Sequence, residues 1–86
     1  MRKIIGNGWN GLAPSDHWHF KEQLTIDDNG NFYLYGKGGP ESKYGERFAG
    51  GYIPSESTKK ITKDEALKWC KEYLTIYDDY EKYFID

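Results

Sequence analysis

The sequence has a single cysteine and no long apolar run. Because a disulfide needs two cysteines, Cys70 cannot close an internal bridge, and one unpaired thiol is typical of a reducing compartment. The basic start of the chain is not followed by the apolar stretch that a secretory signal needs. No segment approaches the roughly 20 apolar residues of a membrane-spanning helix. We therefore expect a cytoplasmic protein that does not contact a membrane.

The chain also lacks an excess of positive charge. Its 12 Lys and Arg residues face 14 Asp and Glu residues, a net charge of −2. A general nucleic-acid binder usually carries a clearly basic face, so the overall balance argues against that class. The balance is uneven along the chain, because residues 1–60 carry a net charge of +1 and residues 61–86 carry one of −3.

The length leaves room for one small domain. A chain of 86 residues buries only roughly two-thirds of its unfolded surface, so its core is thin. It cannot hold a substrate domain beside a cofactor domain. Aromatic residues make up 17% of the chain, and eight of them are tyrosines. Tyrosine offers a large contact area and a polar group, which makes it common at binding interfaces.

Residues 22–36 predict a β-hairpin. The sequence Asp-Asp-Asn-Gly at 27–30 is typical of a type I turn followed by a left-handed glycine. A three-residue loop of this kind sets the apolar side chains of both strands on one face: Leu24, Ile26, Phe32 and Leu34. The other face then carries Thr25, Tyr33 and Tyr35.

The rest of the sheet is less clearly marked. Residues 1–20 are dense in turn-forming residues, so we expect a loop-rich N-terminal segment with at most a brief edge strand at its start. Because an isolated hairpin is only marginally stable in water, a further strand is needed. We expect it to pass through residues 51–53.

Residues 62–84 predict a C-terminal helix. Thr62 and Glu65 have the spacing of a capping box. Apolar and aromatic residues recur every three or four positions and mark one helix face: Ala66, Leu67, Cys70, Tyr73, Leu74, Tyr77, Tyr80 and Phe84. Two β-branched residues and two aspartates weaken the helix around residues 75–79, so we expect a break near residue 75.

These elements predict a single α+β domain over residues 1–86. A small antiparallel sheet of three to four short strands, with the hairpin 22–36 in its centre, packs against the helix at about 62–84. Residues 75–86 form an acidic, aromatic tail.

Two glycine-rich stretches match phosphate-binding loops only in part. Residues 6–11 have the spacing G-x-G-x-x-G, but they lack the buried strand and the helix of a dinucleotide site. Residues 36–43 lack the spacing of a phosphate loop. Pro40 also removes a backbone N–H group that such a loop would use. Turns explain both stretches better than a nucleotide site does.

The candidate metal ligands and nucleophiles are few. His17 and His19 would share a face on a strand, but with Asp16 or Cys70 they make a sparse set of zinc ligands. Cys70 lies on the apolar face of the helix, where a thiol is buried and inert. We therefore expect no metal, no cofactor and no catalytic residue.

Aromatic and basic residues alternate between positions 33 and 47. On an open sheet face, such a mixture would let tyrosine rings stack on bases while lysines meet phosphates. The competing interpretation is that the helix covers this face and the tyrosines join the core. The residues concerned are Tyr33, Tyr35, Lys37, Lys43, Tyr44 and Arg47.

The acidic tail suggests a different kind of contact. Its alternating carboxylates and rings could fill a basic groove on another protein, although an exposed last helical turn would look the same. The residues are Asp78, Asp79, Tyr80, Glu81 and Tyr83.

Seventeen positions between residues 17 and 72 follow one pattern. It runs Gly-Asn-aromatic-x-Leu-Tyr-Gly-x-Gly-Gly-x-x-Ser-Lys-Tyr, after Glu and Leu, and ends in a Glu-Ala-Leu-x-Trp helix. The pattern resembles a family of small uncharacterised proteins from Firmicutes and their phages and plasmids. The resemblance implies a link to mobile elements and assigns no catalytic residue. The matching positions are Glu22, Leu24, Gly30, Asn31, Phe32, Leu34, Tyr35, Gly36, Gly38, Gly39, Ser42, Lys43, Tyr44, Glu65, Ala66, Leu67 and Trp69.

We expect a non-catalytic protein-binding module that inhibits a host defence nuclease in the bacterial cytoplasm, as anti-CRISPR proteins do, by occupying a basic surface of this larger partner. The alternative is a single-stranded nucleic-acid-binding module that uses the sheet-face tyrosines and lysines. An exposed sheet edge would also allow a homodimer. The predicted contact residues are Asp78, Asp79, Tyr80, Glu81, Tyr83, Tyr33, Tyr35, Lys43, Tyr44 and Arg47.

Overall fold

The protein is an α+β domain, as the sequence predicts. The computed structural model describes residues 2–85, apart from the side chains of Phe48 and Ile76. A four-stranded antiparallel sheet has the order β1-β2-β3-β6, and a separate two-stranded sheet pairs β4 with β5. The elements are β1 (Lys3–Trp9), β2 (Phe20–Ile26), β3 (Phe32–Gly38), β4 (Glu46–Phe48), β5 (Gly51–Ile53), β6 (Ser55–Ile61), α1 (Lys63–Tyr73) and two 3₁₀ turns, Ile76–Asp78 and Glu81–Tyr83.

The central hairpin has the predicted register. Ile26 lies opposite Phe32 and Leu24 lies opposite Leu34. At the turn, the Gly30 N–H donates to the Asp27 carbonyl at 3.2 Å, and Gly30 has a φ of +83°. The Asp27 carboxylate accepts backbone N–H groups of the loop, and these hydrogen bonds lower its pKa to about 2. The predicted turn is therefore confirmed.

The third strand of the main sheet is not the predicted one. Residues 51–53 do form a strand, but it pairs with β4 in the separate hairpin. The strand next to β3 is β6, in which Ile61 lies opposite Phe32. Only Ile61 among its seven residues is buried. A polar edge strand of this kind lacks the apolar alternation by which strands are recognised in a sequence.

The N-terminal segment is more regular than predicted. Residues 3–9 form a full strand on the edge of the sheet, so the prediction of a loop-rich segment over 1–20 was wrong for this part. Its glycines do not make turns. A Cβ added at Gly6 would lie 2.7 Å from the Leu74 side chain, and one at Gly8 would lie 2.8 Å from the Tyr73 ring. These glycines give room to the side chains at the end of the helix and directly after it.

The helix begins as predicted and ends early. The Glu65 N–H donates to the Thr62 hydroxyl at 3.1 Å and the Thr62 N–H to the Glu65 carboxylate at 3.0 Å, which confirms the capping box. The helix ends at Tyr73, so the expected break near residue 75 is present. The Thr75 N–H donates to the Asp78 carboxylate at 2.7 Å, a local bond that competes with helix formation.

The predicted apolar stripe does not continue past the break. Tyr77 is 91% exposed and belongs to no core. The chain instead turns back, and the Phe84 ring stacks on Phe32 with centroids 5.1 Å apart. Helix and tail thus cover the same face of the sheet. The core of that face consists of Ile5, Leu24, Phe32, Leu34, Ile61, Ala66, Trp69 and Cys70.

The docking of the tail is testable by stability measurements. We expect Phe84→Ala to lower the free energy of unfolding by about 2 kcal/mol, because it removes a half-buried ring that stacks on Phe32. Tyr77→Ala removes an exposed ring from the same segment and should change it by less than about 0.5 kcal/mol. Urea denaturation measures both. Equally small effects of the two substitutions would show that the tail does not pack on the sheet.

Candidate functional site

One face of the main sheet is open. Leu24, Phe32 and Leu34 point toward helix α1 and the core. Side chains alternate along a strand, so their neighbours Thr25, Tyr33 and Tyr35 point to the opposite face, where the two tyrosines are half-exposed. The competing interpretation, in which the helix covers the tyrosines, is therefore wrong. We call the surface formed by the outward side chains of β1, β2, β3 and β6 the open face.

The tyrosines of the open face are fixed through their hydroxyl groups. The Tyr33 hydroxyl donates to the Asp27 carboxylate at 3.1 Å, and the Arg2 guanidinium lies 3.7 Å from the centre of the Tyr33 ring. The Tyr35 hydroxyl donates to the Glu56 carboxylate at 2.7 Å. That hydrogen bond raises the pKa of Tyr35, which keeps the phenol neutral. Both rings are held in place while part of each remains accessible.

Cations surround the two rings. In the register of the sheet, Lys60 lies opposite Tyr33, and Lys21 lies opposite Lys37 at the next outward position beyond Tyr35. Trp9, on the edge strand β1, lies opposite Lys21 of β2. Its side chain is 56% exposed. Among residues 2–85, no salt bridge neutralises any of these three lysines. Aromatic rings and unpaired cations therefore lie together on one surface.

The opposite face contains a buried carboxylate. Glu22 lies on β2 and is only 3% exposed. One of its oxygens accepts the Trp69 indole N–H at 3.1 Å. The other accepts the Tyr44 hydroxyl and lies 3.0 Å from the Lys43 ammonium. A buried charge is tolerated only when it is paired and hydrogen-bonded, and both conditions are met here.

Glycines make room for this cluster on both sides. Gly8 and Gly36 are the partners of Glu22 on the neighbouring strands. A side chain at Gly36 would overlap the Tyr44 ring. Burial, with the Glu22 charge as a further cause, raises the pKa of Tyr44, so its hydroxyl stays protonated and remains a donor. The cluster holds the helix and the turn at residues 40–45 on the sheet, and its polar atoms are satisfied within the protein.

Metal-ligating and nucleophilic groups do not converge. Cys70 is fully buried, and burial raises its pKa to about 11, which leaves the thiol protonated and unreactive. His19 Nδ1 lies 2.7 Å from the Leu12 carbonyl oxygen, and its ring meets the edge of Trp9. Over residues 2–85, no three His, Cys, Asp or Glu side chains are grouped so that they could hold a metal ion.

The predicted contact residues do not form one surface. Tyr33 and Tyr35 lie on the open face. Lys43 and Tyr44 bind Glu22 on the other side, and Arg47 is exposed on the separate hairpin.

Among the predicted contact residues of the tail, the carboxylates are more exposed than the tyrosines. Tyr80 and Tyr83 are half-buried against the core. The carboxylates of Asp78, Asp79 and Glu81 are exposed, and Asp79 lies 3.4 Å from the Lys82 ammonium.

Sequence reasoning missed two groups of residues. It gave no role to Trp9 or Lys21, because their strands could not be placed side by side. It also gave no role to Glu22 or Trp69 beyond the family pattern. One signal was present, since Glu22 alternates with Leu24 on an apolar strand face, where a carboxylate must find partners.

Comparisons of the chain with protein-family models, curated proteins and solved structures found no match. The resemblance described above therefore stays a prediction. No helix in the described part of the chain is long and apolar enough to cross a membrane.

The role of the buried carboxylate can be measured. We expect Glu22→Gln to lower the free energy of unfolding by about 1–3 kcal/mol, because the amide leaves one donor without an acceptor and Lys43 without its counter-charge. Glu41→Gln, at an exposed position, is the matched control and should have little effect. Urea denaturation is the measurement. A Glu22→Gln variant as stable as the control would show that the cluster does not hold the fold.

Proposed function

We propose that this protein is a non-catalytic module that binds single-stranded nucleic acid on its open face. The observation that carries this proposal is the partial exposure of the Tyr33 and Tyr35 rings on a central strand, with lysines around them that form no salt bridge in the described residues. Residues two apart on a strand are about 7 Å apart, so each ring can meet its own base, Tyr33 through the part of its ring that the Arg2 guanidinium leaves accessible. Stacking of a base on an aromatic side chain contributes roughly 1–3 kcal/mol.

The distribution of charge supports this proposal despite the net charge of −2. The open face and its rim carry four cations, Arg2, Lys21, Lys37 and Lys60, against three carboxylates in the described residues, Asp16, Asp27 and Glu56. Asp27 and Glu56 accept tyrosine hydroxyls. The acidic excess lies in the helix and the tail, which cover the other face. A phosphate backbone on the open face therefore meets a locally basic surface.

Oligonucleotide binding tests the proposal. Fluorescence anisotropy should show binding of single-stranded DNA and RNA at low salt. The logarithm of the binding constant should then fall linearly with the logarithm of the salt concentration. The double substitution Tyr33→Ala and Tyr35→Ala should raise Kd by about tenfold or more, since it removes two stacking platforms.

Tyr77→Ala is the control, because it removes an exposed tyrosine that lies off the open face. It should leave Kd unchanged. If the wild-type protein binds no oligonucleotide, or if the double variant binds as well as the control, the proposal is wrong.

A second candidate function rests on the acidic tail. Asp78, Asp79 and Glu81 are exposed in the tail, which packs on the face of the sheet opposite the open face. They could occupy a basic surface of a larger protein, such as a nuclease of a host defence system, in the cytoplasm of a bacterial cell. This is the anti-CRISPR-like inhibitor that the sequence suggests.

A pull-down separates the two candidates. If the protein is an inhibitor, one dominant host protein is retained after nuclease treatment of the lysate, and its capture is lost when Asp78, Asp79 and Glu81 are changed to Lys. Capture that disappears with nuclease treatment points to nucleic acid instead. Capture that survives the triple reversal would contradict a contact through the tail.

A further inference from the structure

A groove of about 1000 Å³ lies at one end of the open face. Its floor includes Trp9, Lys21 and Lys37, which are neighbours across three adjacent strands. Residues 14–17 and residues 54–56 also line it. The loop at 14–17 passes close to the end of β3, because a Cβ at Gly39 would lie 2.8 Å from the His17 carbonyl carbon. The groove therefore lies where a strand bound along the tyrosines would reach the end of the sheet.

The two lysines of the floor are an unfavourable pair without a ligand. They lie directly opposite each other on hydrogen-bonded strands, where like charges repel. Two carboxylates also line the groove: Asp16, which accepts the Trp18 N–H at 2.8 Å, and Glu56, which accepts the Tyr35 hydroxyl and lies opposite Lys37 on the next strand. In the described residues neither carboxylate forms an ion pair with Lys21 or Lys37. Two adjacent exposed ammonium groups suit a group that carries two negative charges.

The tryptophan beside them suits a base. Trp9 is 56% exposed, and its ring is supported at the edge by His19, with centroids 6.3 Å apart. Neighbouring strands are about 4.8 Å apart, so the lysines stand one and two strand spacings from the indole. A base on the indole and a phosphate between the lysines would together fill this floor.

We infer that this groove binds the phosphorylated end of the nucleic-acid strand. A terminal phosphate carries close to two negative charges near neutral pH, whereas a phosphate inside the strand carries one. The loop at 14–17 stands where the strand would otherwise continue. The inference rests on the proposed function, because it assigns an end of the bound strand to one end of the open face.

Three oligonucleotides of one sequence test the inference: one with a 5′-phosphate, one with a 3′-phosphate and one with neither. The wild-type protein should bind one of the phosphorylated forms at least tenfold more tightly than the unphosphorylated form. The double substitution Lys21→Gln and Lys37→Gln should abolish this preference, and it should weaken binding of the unphosphorylated form without eliminating it, because Arg2 and Lys60 remain on the open face. Its urea midpoint should stay close to that of the wild type, because the substitutions remove both the repulsion between the two lysines and the attraction of Lys37 to Glu56 opposite it.

Lys60→Gln is the matched control, since Lys60 lies on the same face but does not line the groove. This substitution should lower the affinity for all three oligonucleotides by the same factor, so the preference for the phosphorylated form should remain. Equal affinity of the wild type for all three, or a preference that persists in the double variant, would overturn the inference but leave the proposed function standing.

If no oligonucleotide binds, the proposed function fails. Phosphate binding in the groove is then tested separately. A nucleoside monophosphate titrated into the isotope-labelled protein should shift the indole N–H resonance of Trp9 in the wild type and not in the double variant. An unchanged resonance in the wild type would overturn the inference as well.

Discussion

The fold depends on one buried carboxylate. Glu22 lies in the second strand, and it binds the helix through Trp69 and the turn at residues 40–45 through Tyr44. Gly8 and Gly36 stand beside it on the neighbouring strands and leave space for aromatic rings. An unpaired charge at this depth would cost several kcal/mol, so the helix and the turn must both meet this face. The opposite face is left uncovered as a consequence.

This arrangement separates two surfaces of different character. The helix and the tail bring the acidic residues to one side, where Phe84 stacks on Phe32 and closes the core. The other side keeps Tyr33 and Tyr35 accessible among lysines. A net charge near zero therefore describes neither surface. The thin core of a short chain makes this possible, since in residues 2–85 one α-helix covers one sheet face and no second layer covers the other.

The sequence predicts the local parts of this structure well. The turn at 27–30 sets the hairpin register, and Thr62 with Glu65 sets the start of the helix, because both depend on neighbours in the chain. The strand at 3–9 could not be predicted, since its glycines resemble turn residues until Tyr73 and Leu74 are placed over them. The polar strand at 55–61 shows no alternation. The partners of Glu22 are equally hidden, because Trp69 lies far along the chain.

The most direct test of the open face is a two-dimensional NMR titration of the labelled protein with a single-stranded oligonucleotide. If the open face is the binding surface, shift changes will concentrate on the outward residues of the four strands, around Tyr33, Tyr35 and Lys37. Residues 78–83 and the core side chains around Glu22 should change little. Shift changes confined to the tail, or none at saturating oligonucleotide, would contradict this account.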